Sequence, residues 1–110
     1  MQRFVQWRGA IAVADGEESV GALITECVAG ILPSDISSLP PTCQLILENP
    51  ARDIQGAAVV LLQEELCFSG DAEVAALLHE LAHTFVAASA RLGMLHGRTG
   101  SAAAARDDAG

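Results

Sequence analysis

Two long segments of apolar residues at helical spacing, separated only by the sequence Ser69–Asp71, constrain the fold more than any other feature. The first segment runs over Pro50–Phe68 and the second over Ala72–Leu95. Gly70 suits the end of one helix, and Asp71 suits the N-cap of the next. A connection this short places consecutive helices side by side in opposite directions. The sequence therefore predicts an antiparallel helical hairpin.

Shorter elements precede the hairpin. Helical spacing of apolar residues predicts a helix over Gly16–Ile31, introduced by a capping pattern that begins at Asp15. A polar, proline-containing connector follows, and then a short helix over Pro41–Glu48. The pair Asn49-Pro50 is typical of a helix start, because Asn caps well and Pro fits the first helical position.

The N-terminal segment alternates apolar and polar residues, which is the pattern of a β-strand. The apolar residues of one parity are Val5, Trp7, Ile11 and Val13. We therefore predict a short N-terminal strand. At the other end, the residues from Gly97 onward are small, polar and uncapped, which predicts a disordered tail over 97–110.

The length of 110 residues allows one small domain, which we place at residues 1–96. Hydrophobic residues make up 51% of the chain but aromatic residues only 4%. Such a core suits closely packed helices. The predicted fold class is all-α: a small helical bundle centred on the antiparallel hairpin, with the short β-strand at the N-terminus.

The net charge of −8 argues against nucleic acid and anionic membranes as partners, because few bases are present to neutralise phosphates. No apolar run reaches the roughly 20 residues of a membrane span. Three cysteines without a C-x-x-C motif favour a reducing cytoplasm. The small core and the unpaired strand predict a homodimer or larger homo-oligomer. The sequence names no other protein partner.

The sequence His79-Glu80-Leu81-Ala82-His83 is an H-E-x-x-H motif, the signature of zincin metallopeptidases. On a helix, residues i and i+4 share a face, so His79 and His83 are candidate ligands of one zinc ion. Glu80 is then the candidate catalytic base that activates a metal-bound water. The downstream ligand of thermolysin-like enzymes is missing, because no Glu follows Glu80. The metzincin extension is missing too, because Val86 and Ser89 occupy its Gly and His positions.

The same residues contain Glu80-x-x-His83, the E-x-x-H pattern of ferritin-like iron proteins. There a glutamate from a neighbouring helix completes the site, and Glu65 is the candidate because it interrupts an apolar stripe. At 1.5 Å per residue, Glu65 lies about 7 Å from the turn and His83 about 20 Å. We therefore expect that they cannot meet within one hairpin. A shared site would need a second subunit, Asp53 or Glu26.

The segment from about Leu39 to about Leu92 resembles short bacterioferritin-like proteins encoded beside alpha-type carboxysome genes. The sequences behind this resemblance are DIQGAAVVLLQEEL and GDAEVAALLHELAHTFVAASARL. The resemblance implies a compact helical hairpin protein in a bacterial cytoplasm, linked to iron and associated with carboxysomes. The chain departs from bacterioferritin in lacking a second E-x-x-H, and Met94 lies too near the predicted helix end for a haem ligand.

These observations predict a small bacterial metal-binding helical protein, ferritin-like, that holds iron or zinc. The metal candidates are His79, His83, Glu80 and Glu65. Two alternatives stay open: an H-E-x-x-H zinc metallopeptidase-like protein, and a non-catalytic oligomeric scaffold or interaction module in which these residues face water. Whether the protein is an enzyme is left open by the sequence.

Overall fold

The computed structural model describes the backbone of residues 2–109 and the side chains of residues 3–96. This part of the chain is mostly helical and contains no strand. Its helices are α1 (Gln2–Ala12), α2 (Glu17–Ala29), α3 (Pro33–Ser37), α4 (Pro41–Glu48), α5 (Ile54–Cys67) and α6 (Ala72–Ala109). The all-α class is therefore confirmed. The disordered tail over 97–110 and the domain limit at residue 96 concern a segment whose side chains are not described, and both stay predictions.

The predicted N-terminal strand is wrong, because this segment forms α1. Phe4 and Ile11 are buried in the core, with Trp7 partly buried between them. Spacings of three and four residues place these side chains on one face of a helix. Val5 and Val13, which share the predicted strand face, are instead 59% and 72% exposed. The alternation of apolar and polar residues in this segment is therefore accidental, and the spacing of its buried residues is helical.

The hairpin of α5 and α6 is the centre of the bundle. These two helices share the largest interface, and α6 also packs against α1 and α2. The four-residue connection between α5 and α6 makes them antiparallel. In the part of α6 whose side chains are described, the buried residues are Leu77, Leu78, Leu81, Ala82, Thr84, Phe85 and Ala88. Most of them form the apolar stripe expected from helical spacing.

The caps of the hairpin helices explain where each begins. α5 starts at Ile54 rather than Pro50, because the Asp53 carboxylate caps it by accepting a hydrogen bond of 3.0 Å from the backbone N–H of Gly56. A Cβ at Gly56 would collide with that carboxylate. α6 starts where predicted, since Asp71 Oδ1 accepts a backbone hydrogen bond of 2.7 Å from its first turn.

The bounds of the remaining helices agree with the predicted bounds in one case and differ in two. α4 has the predicted bounds, which are set by Pro41 in its first turn. α2 is slightly shorter than predicted, and its N-cap is Gly16 without a side-chain hydrogen bond, so the capping pattern at Asp15 is not used. Residues 33–37, expected to belong to a connector, form the short helix α3, which begins at Pro33.

Two arginine side chains attach α1 and its following loop to the rest of the bundle. Arg3 Nη2 donates a hydrogen bond of 2.6 Å to the carbonyl oxygen of Cys27, near the end of α2. Arg91 Nε of α6 donates one of 2.8 Å to the carbonyl oxygen of Ala14. Arg91 thus supplies a donor to a carbonyl oxygen in the loop after α1, and Arg3 adds a second donor to the Cys27 oxygen, which also accepts from the backbone N–H of Gly30.

The three cysteines are free thiols in different surroundings. Cys27 and Cys43 are buried, whereas Cys67 at the end of α5 is exposed. Burial raises the pKa of Cys27 and raises that of Cys43 to about 11. Both interior thiols therefore behave as small apolar core residues.

Candidate metal site

Three of the predicted site residues come together on the outside of the hairpin. One ligand atom from each of Glu65, His79 and His83 lies within 4.8 Å of the other two. Glu65 comes from the last turn of α5, and the two histidines come from successive turns of α6. We call these three residues the hairpin triad. It is the one such group of metal-ligating side chains among the described residues.

Each contact within the triad has a local cause. His79 Nδ1 is hydrogen-bonded to Glu65 Oε1, which accepts. The rings of His79 and His83 have centroids 4.2 Å apart and are tilted by 47°, as expected for side chains one helical turn apart. The side chain of Glu65 is 24% exposed and that of His79 is 53% exposed, so the triad is open to solvent ions.

The expectation that Glu65 cannot reach the motif within one hairpin is wrong. Positions along the helix axes locate the backbone, but the distance between ligand atoms also depends on the direction of the side chains. Each Cα–Cβ bond tilts toward the N-terminus of its own helix. In an antiparallel hairpin, Glu65 therefore leans away from the turn, whereas His79 and His83 lean toward it. These opposite tilts bring the ligand atoms of Glu65 and the two histidines together within one hairpin. Neither Asp53, Glu26 nor a second subunit is needed.

Glu80 does not join the triad in this structure. Its Oε2 accepts a hydrogen bond of 2.6 Å from Nη1 of Arg8 in α1, and both side chains are about three-quarters buried. The hydroxyl of Thr84, which is fully buried, donates to the backbone oxygen of Glu80 at 2.7 Å and accepts from Arg8 at 3.4 Å. Glu80 thus lies on the side of α6 that faces α1.

The Arg8 hydrogen bond changes the acidity of Glu80. It lowers the pKa of the carboxyl below its ordinary value of 4.5, and this effect outweighs the opposing effect of partial burial. A carboxylate held in this way is a weaker base and is already occupied by a cation. Arg8 was not foreseen from the sequence, because the pair joins residues 72 positions apart and no local pattern signals it.

His96 provides a useful contrast with the triad. Its Nε2 is hydrogen-bonded to Glu17 Oε1, and both side chains are more than half exposed. This second His–Glu pair has no further metal-ligating side chain close enough to form a group of three in the described region. The triad is therefore distinguished from an ordinary surface His–Glu pair by its third donor.

Comparisons of the chain with protein-family models, with curated proteins and with solved structures find no match. Within the described residues, no helix combines the length and apolar character needed to cross a membrane. The chemistry of the donor atoms is therefore the basis for proposing a function.

Proposed function

We propose that the protein binds a divalent transition metal ion, iron or zinc, through Glu65, His79 and His83. The observation that supports this most directly is the convergence of two imidazoles and one carboxylate within 4.8 Å. Two histidines and one carboxylate are a ligand set of catalytic zinc sites and of non-haem iron sites. Such a set leaves coordination positions open.

The spacing of the triad fits an ion after small side-chain movements. Ligands at about 2.0–2.1 Å from a tetrahedral zinc ion lie roughly 3.3 Å from one another. The most widely separated donor atoms therefore need to approach by about 1.5 Å at most, and the hydrogen-bonded atoms of Glu65 and His79 need to move apart slightly. The exposed side chains of both histidines leave room for these rotations.

The position of Glu80 bears on two more specific functions, a zincin-type peptidase and a ferritin-like iron site. A zincin-type peptidase needs Glu80 as a free base beside the metal, and a ferritin-like E-x-x-H site needs it as a ligand. Its pairing with Arg8 favours neither role. The triad instead supplies the third ligand from upstream, at Glu65. The bacterial and carboxysome assignments rest on the resemblance alone, the cytoplasmic one rests on the resemblance and the cysteine content, and all three stay predictions.

The test is metal binding by protein purified without a histidine tag. Elemental analysis and calorimetric titration with Zn²⁺, and with Fe²⁺ under anaerobic conditions, measure content and affinity. We expect Glu65→Gln, His79→Ala and His83→Ala each to weaken binding at least about tenfold, because the first removes the negative charge of a ligand and the other two remove a donor. His96→Ala is the matched control, since it removes an exposed histidine that also pairs with a glutamate.

The result for Glu80→Gln separates the triad from the ferritin-like E-x-x-H site. Under the triad proposal it leaves metal affinity unchanged. If it weakens binding as much as His83→Ala does, the E-x-x-H site is favoured instead. If no triad variant changes metal content relative to His96→Ala, the metal proposal is wrong and the non-catalytic scaffold remains.

A further inference from the structure

The triad is directed outward from the bundle rather than into its core. His79 and His83 are exposed, and the side chain of His79 is 53% accessible. Three protein donors do not saturate a four- to six-coordinate transition metal ion. An ion bound by the triad would therefore present its free coordination positions to whatever lies against the outer side of the hairpin.

The surface beside the triad includes exposed apolar residues of both hairpin helices. On α6, exposed residues that share one side of the helix include Ala72, Ala76, His79, His83 and Ala90. On α5, Val59 and Leu66 are seven residues apart, so they share one side as well. They are 55% and 85% exposed, and Leu66 directly follows the ligand Glu65. We call these seven residues the hairpin face.

The charge of the chain indicates which partner suits this face. At a net charge of −8, two copies repel each other over most of their surfaces. Apart from Glu65, the hairpin face avoids that repulsion, because its seven residues include no carboxylate. A divalent cation between two copies would reduce the remaining repulsion, including that between the two Glu65 side chains. The alanines of α6 allow a second helix to approach to about 8–10 Å.

We propose that the hairpin face is a metal-dependent homodimer interface, in which an ion held by Glu65, His79 and His83 of one copy is completed by ligands from a second copy. This inference rests on the proposed metal binding. A twofold axis at the triad brings the same face of both copies together, so four imidazoles and two carboxylates surround the axis. Direct coordination across the axis compensates for a small contact area.

The experiment is light scattering after size exclusion of the full chain, first with a chelator and then with Zn²⁺ or Co²⁺. We expect a mass near 11.4 kDa with the chelator and twice that value with metal. The double variant Val59→Ser with Leu66→Ser tests the apolar surface and leaves all three ligands in place. The matched control is Val13→Ser with Leu45→Ser, which changes two aliphatic residues that are 72% and 66% exposed elsewhere.

We expect the hairpin-face double variant to raise the dimer dissociation constant at least tenfold relative to the control double variant, with metal still bound. A metal-loaded protein that stays monomeric overturns the dimer inference but leaves the proposed metal binding intact. A dimer that forms equally with the chelator, or in His79→Ala with His83→Ala, also overturns it. If calorimetry detects no metal binding, the proposed function itself is wrong.

Discussion

Substituting two neighbouring residues of α1 tests how this helix contributes to the fold. Phe4 is 2% exposed and Val5 is 59% exposed. A strand with Val5 facing inward would reverse these environments, because adjacent side chains of a strand point to opposite faces. Phe4→Ala and Val5→Ala therefore give opposite rankings for a helix and for a strand.

The expected magnitude follows from the surroundings of Phe4. Truncating a buried Phe to Ala costs about 3–5 kcal/mol through lost apolar burial and the cavity left behind. The ring also lies 4.8 Å from the guanidinium carbon of Arg3, and this cation–π contact contributes about 0.5–1 kcal/mol. The position near the chain end allows relaxation, so we expect a total of about 3 kcal/mol. Val5→Ala should change stability by less than about 0.5 kcal/mol.

Thermal and urea unfolding followed by far-ultraviolet circular dichroism measures both variants. A loss of about 3 kcal/mol lowers the melting temperature by at least roughly 10 °C in a domain of this size. Equal effects of the two substitutions, or a larger effect of Val5→Ala, would refute the packing of α1 described above.

Two further predictions concern the hairpin and its contact with α1. Asp53→Ala should destabilise the protein by about 1 kcal/mol in urea unfolding, because it removes the N-cap of α5; Asn49→Ala is the control, and a larger loss there would restore Asn49 as the cap. Because Arg8 lowers the pKa of Glu80, the stabilisation of this carboxylate is fully present above its ordinary value of 4.5 and is lost as pH falls through the lower folded-state value. The stability advantage of the native chain over Glu80→Gln should therefore be constant above about pH 5 and shrink below it, and an advantage that grows on acidification would contradict the assignment.

Those parts of the fold that depend on local signals were predictable from the sequence. Pro41 marks the start of α4, and Gly70 with Asp71 marks the turn between the hairpin helices. α1 was not predicted, since its apolar residues fit both a period of two and a period near 3.6. Only tertiary packing, which buries Phe4 and exposes Val5, selects the helix.

The candidate site shows a similar division between local and long-range information. The i, i+4 spacing predicted that His79 and His83 share a face, and the structure confirms it. The proximity of Glu65 to these histidines depends on the opposite tilts of side chains in the two helices. The number of residues between each position and the turn does not contain this information. The pairing of Arg8 with Glu80 depends on how α1 packs against α6, which the sequence around the motif does not encode.

The uneven burial of the thiols gives the chain a natural attachment point for a spectroscopic probe. Cys67 is exposed, whereas burial protects Cys27 and Cys43 from alkylating reagents. A maleimide fluorophore therefore reacts at one position without any substitution in the protein. That position is two residues beyond Glu65, so the dye would sit within quenching range of a paramagnetic ion at the triad. The fluorescence intensity then reports metal binding at the triad in real time, and the interior of the bundle stays unmodified.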